Sequence, residues 1–197
     1  MGNILPPEMS IWGRPETIDF QSVKLAIAFK KLAIPFLGER PEHKSIQANI
    51  ATVLSLRGER DIAGALPIIE YLEDRFPAPA LFPIGAQTRA TCREVIDTLQ
   101  SASFCIRSPI REYLTNRFDL PPTEIENWHH HWLTIAFQQV EPKIVKMVSA
   151  LPHNDARTPQ IILCFLLPLL QQARATGFNL SLYHRLLQIE DKAISAT

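Results

Sequence analysis

The sequence predicts a small α/β domain over about residues 1–80, followed by an all-helical domain over 86–197. Three observations carry this reading. In "GALPIIEYLEDRFP", Gly64 to Pro77, the apolar residues Ala65, Leu66, Ile68, Ile69, Leu72 and Phe76 recur at three- and four-residue spacing, so one face of a helix is apolar. Just before it, "IATVLSLRGERDI" reads as two short β segments around a turn at Gly58. Just after it, the proline-rich "PAPALFPIG" is an extended connector, beyond which the spacing becomes that of long helices.

Taken in order, "MSIWGR" supplies a first strand and Pro15 begins a turn. From Asp19 the apolar positions Val23, Ala26, Ile27 and Leu32 fit an amphipathic helix that closes before Ile34-Pro35. "IPFLG" reads as a second strand, while "ERPEHKSIQAN" has no helical face. In the 64–77 helix, Pro67 fits the first turn, where a backbone N–H has no helical partner. Past the connector, Thr88 to about Arg117 is helical with a bend at Pro109. Thr123 and Glu126 form a capping box for a helix carrying Ile125, Trp128, Trp132, Ile135, Ala136, Val140 and Ile144 on one face. Thr158 caps an apolar helix that Gly177 ends, and "NLSLYHRLLQIEDKAI" makes the last one.

Composition removes several classes of function. Twenty basic and twenty acidic residues balance, so no nucleic-acid or anionic-membrane partner is expected. The most apolar run, Ile161 to Leu170, contains Pro168 and is half of the ~20 residues a membrane span needs. "MGNILPPEMS" lacks a basic region ahead of an apolar stretch, and Cys92, Cys105 and Cys164 have no metal or redox spacing. A reducing cytoplasm is the expected location, with the thiols as core or helix-face groups. His129, His130 and His131 point about 100° apart on a helix and cannot converge on one ion, so no metal is expected; they read as a partly exposed face. Trp128 and Trp132 read as core.

The run Leu66 to Glu73, with prolines after it, resembles the end of the thioredoxin-like domain of glutathione transferases, the zeta class (maleylacetoacetate isomerases) and related bacterial enzymes in particular. "GRPETIDFQSVKLAIAFKKLAIPF" and the Trp128, Phe137, Glu141 spacing extend the resemblance over nearly the whole chain. It implies the glutathione transferase fold: a thioredoxin-like α/β domain, trimmed between Phe36 and Ile50, plus an all-α domain. It also implies a homodimer and a small-molecule substrate.

The resemblance places Thr17 where a catalytic serine stands, beside Arg14 of the Gly-Arg-Pro turn. A hydroxyl there can hydrogen-bond a glutathione thiolate, helped by the helix N-terminus; its plain alternative is an N-cap. Asp19 replaces a neutral Asn and would raise a nearby thiol pKa. Ala51 and Thr52 stand where the family has Val-Pro with a cis bond; without proline that form costs ~3 kcal/mol, so a trans peptide is expected. Gly64 and Ala65 replace the acid-or-Gln and Ser that hold the γ-glutamyl end of glutathione. Each lost charge-assisted bond is worth ~1.5–3 kcal/mol, so glutathione binds weakly or not at all. On the substrate side the resemblance points to Phe104, Arg107, Arg111 and Arg174, set against the commoner role of arginines as exposed structural groups. Two functions compete. One is an enzyme adding a thiol to, or isomerising, a small hydrophobic or electrophilic substrate. The other is a transferase-fold protein that has lost glutathione and serves as a binding or structural module, or in glutathione-independent chemistry.

Overall fold

A computed structural model describes residues 8–39, 52–151 and 157–195, in two units, Met1–Leu81 and Phe82–Thr197. In the first, strand β1 (Met9–Trp12), helix α1 (Ile18–Phe29), strands β2 (Val53–Leu56) and β3 (Ile62–Ala63) and helix α2 (Ala65–Arg75) follow in turn. The sheet runs β1-β2-β3, antiparallel throughout, with Met9 opposite Leu56 and Trp12 opposite Val53. The "IPFLG" strand is reduced to one parallel bridge, Phe36 beside Ile11. The Ile11 N–H donates to Pro35 O at 2.9 Å and the Leu37 N–H to Ile11 O at 2.9 Å. Pro35 has no N–H to extend the ladder, and Gly38 turns away at φ +73°. Beyond Glu39 the "ERPEHKSIQAN" stretch, and the peptide bonds on either side of Ala51, lie outside the described residues.

The apolar faces close over the sheet. Val23, Ala26 and Ile27 of α1 and Ala65, Ile68, Ile69 and Leu72 of α2 are buried, with Ile11 and Leu54 beneath. Each large side chain so buried contributes about 1.5–3 kcal/mol. Leu66 and Phe76, expected on the same face, are half-buried. Periodicity alone does not reveal the charged pair inside this unit. Lys30, the C-cap of α1, has no exposed side-chain surface, and its Nζ lies 2.6 Å from Glu73 Oε2 on α2. The same ammonium donates to Phe76 O at 2.6 Å and Pro79 O at 3.1 Å, so its three protons are all placed. The Glu73 carboxylate also accepts from the Leu81 N–H, at 3.0 and 3.1 Å. Full satisfaction is what makes a buried ion pair tolerable.

The second unit is helical: α3 (Ala86–Cys105), α4 (Ser108–Phe118), α5 (Pro122–Ser149), α6 (Gln160–Ala175), a 3-10 turn (Leu180–Leu182) and α7 (His184–Ser195). Its core is α3 against α5 and α6. The bend expected at Pro109 falls at Ile106–Arg107, and Pro109 sits in the first turn of α4. Neither expected threonine cap forms. α5 starts after Pro121 with Pro122 at its first position, and α6 starts after Pro159, both without a side-chain cap. In each case a proline sets the helix boundary beside or one residue before the threonine, through its fixed φ. Gly177 does end α6: at φ +70°, its N–H reaches Arg174 O at 3.0 Å and the Phe178 N–H reaches Ala173 O at 3.0 Å. That pair of bonds is a Schellman motif. α7 begins on Glu141 of α5, whose Oε1 accepts from the N–H groups of Arg185 and Leu186 at 2.9 and 3.3 Å. On α5 itself His129 is buried and Trp128 and Trp132 are only half-buried, which reverses the expectation for all three. His130 is half-buried and holds Thr176 O at 3.0 Å; His131 is exposed.

Candidate functional site

In the first unit, α1 and α2 begin at the same end of the sheet, where β1 ends and β2 begins. Gly13 follows β1 directly, at φ +154°. A Cβ there would lie 3.0 Å from a Phe20 ring carbon and 3.3 Å from the Thr52 backbone, so a side chain at this φ would press both neighbours apart. Thr52 O accepts from the Gly64 N–H at 2.9 Å, which brings in the start of α2. Thus Gly13, Arg14, Thr17, Thr52, Gly64 and Ala65 gather in one neighbourhood, while Ala51 lies outside the described residues.

Each of these groups already has an assignment, or conspicuously lacks one. The Thr17 hydroxyl donates to Arg14 O at 2.8 Å and accepts from the Phe20 N–H at 3.3 Å, so the residue caps α1. The Arg14 Nε lies 2.8 Å from Glu39 Oε1, a largely exposed ion pair that contributes little. Asp19 in the first turn of α1 is buried at 6% exposure. The Thr52 Oγ1 is buried without a hydrogen-bond partner among the described residues. Gly64 is the N-cap of α2 at φ +96° and, having no side chain, leaves the first amides of α2 uncapped. Two helix N-termini therefore put positive potential at one end of the sheet, the α2 end having no side-chain cap among the described residues.

In the second unit, Phe104 is 53% exposed and the Arg107 guanidinium stands 5.6 Å from its ring centre. Arg111 is exposed one turn further on. Arg174 is engaged elsewhere. Its guanidinium makes a two-pronged pair with Glu190 of α7, Nη1 to Oε1 at 2.6 Å and Nη2 to Oε2. Nothing in sequence spacing announces that partner. Burial pushes the Cys92 thiol up to about 11 and also raises that of Cys105, which disfavours the thiolate at both. Among the described residues no group of His, Cys, Asp or Glu could hold a metal ion. No described helix is long and apolar enough to cross a membrane.

No family model matches the chain. A maleylpyruvate isomerase of a Ralstonia species is 29% identical over 121 residues, 59% of this chain and 55% of that protein. A probable maleylacetoacetate isomerase of Vibrio cholerae is 28% identical over 148 residues, 75% of this chain and 67% of that protein. The match thus spans about half the length of the first relative and two thirds of the second. Among solved structures, the holo form of a maleyl pyruvate isomerase, a bacterial zeta-class glutathione transferase, has a TM-score of 0.83 at 20% identity and covers 93% of this chain and 91% of that one. A maleylacetoacetate isomerase of Anaeromyxobacter dehalogenans with glutathione in its active site scores 0.75 at 20% identity, covering 93% and 90%. A glutathione S-transferase of Legionella pneumophila scores 0.80 at 19% identity, covering 94% of each.

Proposed function

We propose that this chain, which has the glutathione transferase fold and is similar in sequence to maleylpyruvate and maleylacetoacetate isomerases, is a glutathione-dependent cis–trans isomerase of a small unsaturated acid. The observation that carries this reading is the pair of helix N-termini at one end of the sheet, the α2 end without a side-chain cap and the Thr52 hydroxyl without a hydrogen-bond partner among the described residues. The residues present fit glutathione through backbone more than side chain. Bound there, glutathione would supply the thiol for reversible addition to a conjugated double bond, a route from cis to trans with no net atom gained or lost. The α2 amides hold a carboxylate, and Thr52 offers a hydroxyl. Thr17 can turn its proton toward a thiolate only by giving up its 2.8 Å bond to Arg14 O. Asp19 opposes a thiolate nearby, because like charges disfavour ionisation. By resemblance Arg107, Arg111 and Arg174 of the second unit are the candidates for a substrate carboxylate, and Arg174 would first have to release Glu190.

The test is isomerisation of maleylpyruvate or maleylacetoacetate by the purified chain, with and without glutathione. Conversion that requires glutathione supports the reading. No conversion of either compound with millimolar glutathione overturns it.

A further inference from the structure

We propose that α4 is an acid-operated flap in the second unit: it rests on α5 while His129 is neutral and swings away when His129 takes a proton. The inference begins with α4 itself. None of its residues is buried, and Tyr113 and Phe118 are each 58% exposed, their rings in edge contact with one another. An element with so little buried surface belongs to the least stable part of a fold. It also has a junction at each end: extended Arg107 separates it from α3, and Asp119 in the left-handed region (φ +53°) separates it from α5.

Beside this loosely held helix stands a side chain that does not suit its surroundings. His129 is 8% exposed, and its Nε2 is shut off from solvent without a hydrogen-bond partner among the described residues. Two more polar atoms in this part of the unit share that condition, Ser103 Oγ on α3 and Trp132 Nε1 one turn along α5. The Trp128 indole N–H, donating to Cys105 O at 2.8 Å, ties this stretch of α5 to the end of α3 where α4 departs. A neutral imidazole tolerates this position; an imidazolium with no acceptor does not.

The charges acting on His129 come from α4 and from its own helix: Arg111 on α4, and His130 and Glu126 on α5. Burial lowers its pKa from the ordinary 6.5, Arg111 and His130 lower it further, and Glu126 pulls the other way. The closed arrangement therefore binds fewer protons than the open one. Its stability is intact above about pH 6.5 and is lost as pH falls below that value. Moving α4 removes Arg111 and admits water, which removes two of the three lowering causes at once and leaves only His130. The 28-residue α5 is anchored by Leu133, Phe137, Val140 and Ile144 and stays in place.

Amide hydrogen exchange on the whole chain, corrected for the intrinsic pH effect, tests this. Residues 108–118 should exchange several-fold faster at pH 5.5 than at pH 7.5, while 133–147 keep their protection. His129→Gln should abolish the acid response. An acid response of the same size in His129→Gln, or none in the unaltered protein, overturns the proposal. Should that variant fail to fold, the ring titration of His129 in the unaltered protein, followed by NMR, decides. Its midpoint must lie below 6.5 and coincide with the loss of α4 protection; separate midpoints overturn it.

Discussion

Thr17 holds two hydrogen bonds, and any catalytic duty must compete with them. Thr17→Val keeps the volume but removes both bonds, so it should cost about 1 kcal/mol of stability from the lost cap. If the residue also steadies a thiolate, isomerisation should fall by ~10²-fold or more, as for loss of one preorganised donor. Thr17→Ser should preserve both properties. Equal turnover by the valine and serine variants would place the chemistry away from this helix start. Asp19→Asn should lower the pKa of a bound thiol, read as a shift of the thiolate absorbance to lower pH. The neighbouring position carries a different lesson. Gly64 sits at φ +96°, so restoring an acidic side chain there strains the backbone by ~1–2 kcal/mol. Ala65, the first residue of α2, accepts serine without that cost. We expect the unaltered chain to bind glutathione no better than about millimolar, and Ala65→Ser alone to tighten binding more than Gly64→Glu does. Calorimetric titration giving low-micromolar binding to the unaltered chain would show that the amides suffice.

At the scale of elements, the buried Lys30–Glu73 pair makes the sharpest forecast. Lys30→Met leaves Glu73 charged and buried, and should destabilise the first unit by about 3–5 kcal/mol in urea unfolding. The double variant Lys30→Met with Glu73→Leu should recover much of that. It should not recover all, because the Leu81 N–H loses its acceptors. If both variants unfold at the same urea concentration as the parent, the pair contributes nothing. This pair also shows where sequence reading reaches its limit. α1, α2 and the β2–β3 hairpin were legible because apolar spacing and turn residues act locally. Lys30 carries no local sign of its burial, because its partners lie 43 to 49 residues away. The missing threonine caps at α5 and α6 failed for the opposite reason: a proline next door overrode a correct local motif. Of the candidate site, Thr17, Thr52, Gly64 and Ala65 were locatable from resemblance, and the engagement of Arg174 by Glu190 was not.

For the whole molecule, the transferase fold carries the expectation of a homodimer, since the resemblance implies one of standard interface size or more. Light scattering should give about twice the chain mass of 22.3 kDa. A particle of the single-chain mass across micromolar concentrations would count against it. The chain also contains its own pair of chemical reporters. Lys30 is sealed in the first unit, and all three cysteines lie in the second, with Cys92 and Cys164 buried there. An amine-acylating reagent should mark surface lysines within minutes and spare Lys30 until the first unit opens. A maleimide should likewise leave Cys92 and Cys164 untouched until the second does. Mass spectrometry of one sample taken through a denaturant series can therefore time the two openings separately, with no mutation introduced.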